Sequence, residues 1–437
     1  MSIASNFPAI KPTLLLDFAN TEELDSRVTF TRASTATYYG TETAKAEENL
    51  LTQSQTFDVS TAFWGPINAT ITANAIAAPD GTTTAETFTD DVVSGSHLVQ
   101  QILSGVIVNT TYVFSCFLKA GTNNYAYLSF RDSGTGNRYF SAEFDLSTGA
   151  VNRTSAGSSG TLTTQSITAV GSGWYRCVII GQVAAAGSMR AVIGLSDGTS
   201  AYTNFGAITY TGTGTSIFAW GAQLEQRSAV TAYTVTTDQP ITNYIPVLET
   251  AASGVARFDH NPTTFESLGL LIEELRSNLV LQSEDFTTTW ATTRATIGAN
   301  TYVSPGGTLT ADTLIDTSDN DTHFVSQSVT TTAVAITFSA YAKAAGRNFV
   351  YLSINDSGNV ARTTFYNLST GAVGTTGTGI TASIVSVGNG WYRCIATVGT
   401  ALAGSNPCVI GAASADNTAS YAGNGFSGVA IWGAQVE

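Results

Sequence analysis

Val170–Cys177 reads VGSGWYRC, and Val387–Cys394 reads VGNGWYRC. Two octapeptides that differ at one position mark an internal repeat. Outward from this pair the matches continue in the same order on both sides. Phe144–Val151 (FDLSTGAV) matches Tyr366–Val373 (YNLSTGAV), and Tyr125–Gly134 (YAYLSFRDSG) matches Phe349–Gly358 (FVYLSINDSG). Further out, Pro79–Thr87 (PDGTTTAET) matches Pro305–Thr313 (PGGTLTADT), and His97 matches His323. Asn49–Phe57 (NLLTQSQTF) and Asn278–Phe286 (NLVLQSEDF) open the two copies, and WGAQLE at Trp220 and WGAQVE at Trp432 close them. Each copy is a whole domain with its own core, and the small length differences fall between matched pieces, where surface loops tolerate them.

The matched pieces read as strands. Tyr112–Leu118 is rich in aromatic and β-branched residues, and Tyr125–Phe130 stops at Asp132-Ser133-Gly134. Asp145-Leu146-Ser147-Thr148-Gly149 is a turn signal between two strands. The expected fold is all-β: two tandem β-sandwich domains of jelly-roll type, with a small β-rich N-terminal and connecting region. The expected boundaries are an N-terminal segment 1–48, module 1 with its return connection at 49–237, a connecting segment 238–277 and module 2 at 278–437. The N-terminal and connecting segments are expected to pair with one another, with module 1 inserted between them.

Composition agrees with a folded β protein. Of the 437 residues, 43% are hydrophobic and 10% aromatic, enough to fill a core. Only 11% are charged, against about 25% in soluble proteins generally, and threonine supplies much of the polar surface. The net charge of −14 argues against nucleic acid and against an anionic membrane surface. No apolar run is long enough to span a bilayer, and Met1–Ile10 does not read as a signal peptide, so no membrane insertion is expected. Cys116, Cys177, Cys394 and Cys408 form no CxxC and fit a reducing compartment.

The strings FTRASTATY, NLLTQSQTF, PDGTTTA, FDLSTGAV, GWYRC, WGAQLE and ARFDHNPTTFESLGLLIEE resemble tailed-phage virion structural proteins of the tail-fibre or head-fibre type. The modules also resemble galactose-binding-like carbohydrate-binding jelly rolls. The first resemblance implies a virion location, assembly in the bacterial host cytoplasm, and contact with other virion proteins and with copies of the same chain, as a homotrimer. Together they imply attachment to host cell-surface glycans without an enzymatic activity. The alternatives are a capsid decoration, head-fibre or tail adaptor protein without a ligand, and a tailspike glycan depolymerase.

All six tryptophans are matched: Trp64 with Trp290, Trp174 with Trp391, Trp220 with Trp432. The last two pairs read as core anchors. Trp64 and Trp290 lie in less regular segments and are the candidate sugar platforms, with Asn68 and Arg294 beside them. Trp174 and Arg176, like Trp391 and Arg393, share a strand face, which sets a guanidinium beside an indole. Asp316, Asp319 and Asp321 form an acidic loop, the candidate site for calcium; no other cofactor is expected. No GxSxG, Walker A or HExxH is present, so no catalytic residue is assigned. Asp132 and Glu143 are the carboxylates that a glycosidase reading would need. In Arg257-Phe258-Asp259-His260, neighbours point to opposite faces, so Arg257 and Asp259 are expected to form an ion pair rather than Asp259 to orient His260.

Overall fold

The computed structural model describes residues 16–58, 63–132, 134–185 and 187–437; the first fifteen residues of the expected N-terminal segment lie outside them. Apart from a four-residue helix at Phe18–Thr21, the regular elements are antiparallel strands. Among the described residues no helix is long and apolar enough to cross a membrane. The chain forms two compact units. One is Glu47–Thr242, and the other joins the segment ending at Ala46 to Asn243–Glu437.

Module 1 is a sandwich of two six-stranded sheets. The front sheet runs Trp64–Ile67, Leu98–Leu103, Met189–Leu195, Tyr125–Asp132, Tyr139–Asp145, Ala150–Ala156. The back sheet runs Ala69–Ile76, Ala85–Asp90, Ser216–Glu225, Tyr112–Ala120, Trp174–Val183, Gly160–Ala169. Alternate residues from both sheets meet in one core that includes Phe88, Phe114, Leu128, Phe130, Phe140 and Ile193, all fully buried. That alternation is what a sheet with one buried face requires.

Module 2 repeats the strand order. Its front sheet runs Ala291–Thr293, Asn320–Thr331, Gly404–Ala413, Phe349–Asn355, Ala361–Asn367, Ala372–Thr376. Its back sheet runs Ala295–Tyr302, Ala311–Asp316, Gly428–Val436, Ile336–Ala345, Trp391–Val398, Ile380–Ser386. The repeat in sequence is therefore a repeat in topology. The segments flanking module 1 also pair as expected, Ala36–Asn49 with Ile241–Ala251.

Several matched strings now have a physical reason. Asn49 accepts hydrogen bonds from the backbone N–H of Leu51 and Leu224 and donates to the Ala222 carbonyl. Asn278 does the same with Val280, Val436 and Ala434. The first residues of each module are thus pinned to its closing strand. In the LSTGAV turns, Asp145 and Asn367 accept from the N–H of Ser147 and Ser369. Gly149 and Gly371 sit at φ 72° and 68°, where a Cβ would come within 2.6 Å of the Tyr175 or Tyr392 ring, so only glycine fits.

The outer face of each back sheet is also apolar and covered from within its own unit. In module 1, Tyr233 of the return connection packs on Phe117 and Trp220. In module 2, Tyr39 and Ile245 from the paired flanking segments join Tyr341, Trp391 and Trp432 in one cluster.

Candidate functional site

The residues with candidate chemistry are largely taken up by the fold. Trp64 and Trp290 are 2% and 4% exposed. Each indole packs against a phenylalanine, Phe57 or Phe286, and donates its N–H to a carbonyl, Trp64 to Thr52 and Gln53, Trp290 to Gln282. Neither ring offers a face to a sugar, which corrects the expected platforms. Asn68 and Arg294 occupy equivalent left-handed turn positions, φ 48° and 47°. Their carbonyls face Nδ1 of His97 and His323 at 2.7 and 2.6 Å, and Nε2 of the two imidazoles faces the Tyr210 and Tyr421 carbonyls. Asp90 and Asp316 in turn accept from the hydroxyls of those tyrosines. This Asp–Tyr–His unit occurs in both modules and ties a loop to a turn.

The acidic loop does not gather around a cation. Asp316 is fully buried and pairs with Arg347 at 2.7 Å, while Asp321 is half-exposed and pairs with Arg294 at 3.0 Å. Asp319 accepts from the Thr317 hydroxyl. Among the described residues no group of three His, Cys, Asp or Glu is placed to hold a metal ion.

The two glycosidase candidates also have partners. Asp132 pairs with Arg138 and Glu143 with Arg153. They point to opposite faces of the front sheet, because Phe130 shares the core side with Asp132, whereas Ala142 and Phe144 flank Glu143. Arg257 reaches Glu273 at 2.8 Å instead of Asp259, whose carboxylate accepts the Tyr39 N–H. His260 meets Glu22 at 3.0 Å. The guanidinium of Arg176 lies over Phe117 at 5.3 Å and that of Arg393 over Tyr341 at 5.8 Å, a recurring cation–π contact on the neighbouring strand rather than on the indole. The four cysteines are free and buried, and burial pushes their thiols up, that of Cys408 to about 12. They behave as core side chains.

What remains is a cleft at the edge of the front sheet. In module 1 it has a volume of about 440 Å³ and is lined by Thr52, Phe63, Gln101, Ile102, Gln226 and neighbours. Phe63 and Ile102 are 36% and 62% exposed. Gln101 clamps the floor: its side chain accepts the Thr52 N–H and donates to the Thr52 carbonyl. Module 2 has its counterpart, about 370 Å³, with Leu281, Thr289, Gln327 and Ser328. There Gln327 makes the same clamp on Leu281. The aromatic differs: Phe63 immediately precedes Trp64, and Thr289 takes its place before Trp290. The expected platform, the Trp64 indole, lies one residue away from the aromatic that faces solvent.

Comparison with known proteins adds little. No family model matches the chain, and no curated protein matches it. Among solved structures, the N-terminal CBM22-1–CBM22-2 tandem domain of Paenibacillus barcinonensis Xyn10C is 12% identical, covers 90% of this chain and 98% of its own, and has a TM-score of 0.24. The oxalate decarboxylase of Lactobacillus farciminis in its formate complex is 8% identical, with 86% of each chain covered and a TM-score of 0.11. These scores are too low to assign a ligand or a reaction to this chain.

Proposed function

We propose that the protein is a non-enzymatic virion component of a tailed phage, of fibre type, and that it contacts host-surface glycans through the module 1 cleft. The observation that carries the binding site is Phe63. It is an exposed aromatic in a concave site also lined by Thr52 and Gln226, so an apolar platform stands beside polar groups that can orient a sugar. The virion setting rests on the sequence strings quoted above. Asp132 and Glu143 lie on opposite faces of the front sheet and so cannot flank one glycosidic bond, which favours recognition over hydrolysis. Display as a homotrimer belongs to the same reading.

The test is a host-glycan array and a host-cell binding assay with wild type and Phe63→Ala. The expected result is specific binding by the wild type and at least a tenfold loss in the variant at unchanged melting temperature. Failure of the wild type to bind any host glycan or cell would contradict the reading and leave a decoration or adaptor protein. Release of reducing sugar by the wild type would instead establish the depolymerase.

A further inference from the structure

Beside the cleft, the outer face of the module 1 front sheet carries a row of four residues directly opposed across four strands: Ile102, Arg190, Arg131, Tyr139. Two arginines thus face each other as an antiparallel pair. Like charges in that position repel, and their Cβ atoms are only about 5 Å apart. Arg131 is 8% exposed and Arg190 half-buried. Neither forms an ion pair among the described residues; the only side chain that Arg131 is seen to engage is Gln100, whose amide oxygen accepts at 3.2 Å. The ionisable groups that bear on Arg131 are Tyr127 and Arg190, with no carboxylate among them. Burial, first, and the charge of Arg190 push its pKa down. A largely desolvated cation beside a second cation is costly unless an anion completes it.

The fold does not demand this pair. The corresponding row of module 2 is Ser328, Pro407, Asn355, Ala361, with the same strand order and no charge. Another charge that module 2 lacks is compensated within module 1. Glu143 of module 1, where module 2 has Phe365, is held by Arg153. The arginine pair of module 1 has no counter-charge among the described residues.

We propose that Arg131 and Arg190 are the seat of a carboxylate carried by an acidic sugar, so that the glycan bound by module 1 is a uronate- or sialate-type chain. This rests on the glycan reading of the adjoining cleft. A planar carboxylate matches the fork of a guanidinium and can accept from both arginines. Ile102 is shared by the row and the cleft, so one ligand can place its carboxylate on Arg190 and an apolar sugar face toward Ile102 and Phe63.

The experiment uses the full chain and paired probes: uronate- and sialate-bearing oligosaccharides, each beside its carboxyl methyl ester. Binding is measured by calorimetry for wild type, Arg190→Gln, Arg190→Lys and Arg131→Gln, with melting temperatures taken with citrate, sulfate and phosphate. The expected result is preference for a free acid over its ester by about tenfold or more, the scale of one good charge-assisted contact. Arg190→Gln should abolish that preference at unchanged fold, and Arg190→Lys should restore it in part. Equal binding of acid and ester by wild type and Arg190→Gln overturns the inference while the glycan reading stands. Stabilisation by citrate that needs Arg190, with no sugar bound, supports a carboxylate seat and overturns the glycan reading. Stabilisation by sulfate or phosphate alone overturns the carboxylate assignment. If Arg131→Gln fails to fold, the two Arg190 variants decide.

Discussion

The two modules are the same sandwich with two different front faces. Back sheets, core tryptophans, the Asp–Tyr–His unit, the Asn49 and Asn278 clamps and the glycine turns coincide, and each has a packing or hydrogen-bonding reason. The row Ile102–Arg190–Arg131–Tyr139 does not coincide with Ser328–Pro407–Asn355–Ala361. Nor does Phe63 coincide with Thr289. Residues kept in both copies report on the fold. Residues present in one copy, exposed or electrostatically unbalanced, are where recognition is to be sought.

The comparison breaks first at the tryptophans if they are not equivalent core anchors. Trp64→Ala and Trp290→Ala should each destabilise their own module by about 3–5 kcal/mol, read as a shifted transition in chemical denaturation. A small effect at either site would show that its ring is not packed as described. Next are the histidines. His97→Ala and His323→Ala each strip two backbone carbonyls of their facing nitrogens. A loss of about 2 kcal/mol is expected in each module, and unequal losses would separate the two units. Smaller again are the turns. Gly149→Ala and Gly371→Ala place a Cβ against Tyr175 and Tyr392 at positive φ, for a cost of about 1 kcal/mol or more.

A difference of another kind is expected in pH response. Burial raises the Glu86 carboxyl to about 7, more than the hydrogen bond from the Phe57 N–H lowers it. The folded module therefore holds a proton that the unfolded chain releases near pH 4.5. Its contribution to stability is full below that value and declines as pH rises toward 7. Asp312, the counterpart that accepts the Phe286 N–H, is also raised by burial. Denaturation of Glu86→Gln between pH 4.5 and 7.5 should show a flatter profile than wild type; an unchanged slope would remove Glu86 as its source.

The fold was legible because the repeat places turn signals and strands twice in one order. The site was not, for reasons of geometry. Trp64 begins a strand on its inward side, while Phe63 just before it is exposed; composition cannot tell which aromatic of a pair turns outward. The cluster Asp316, Asp319, Asp321 suggested a cation, but its strongest partner, Arg347, comes from another strand region and removes the need for one. Arg257 found Glu273 rather than Asp259 for the same reason. Arg131 is one of two residues that differ between YLSFRDSG and YLSINDSG, yet its partner Arg190 becomes a neighbour only through strand register.

The central claim is that shared residues build the fold and unshared ones in module 1 recognise the ligand. It is tested most directly by the stoichiometry of glycan binding to the full chain, titrated by calorimetry with the tightest oligosaccharide from the array. One ligand per chain, lost on changing Phe63 or Arg190, is the predicted result. Two equivalent ligands per chain, unaffected by those changes, would place recognition on the features that both modules share and contradict the claim.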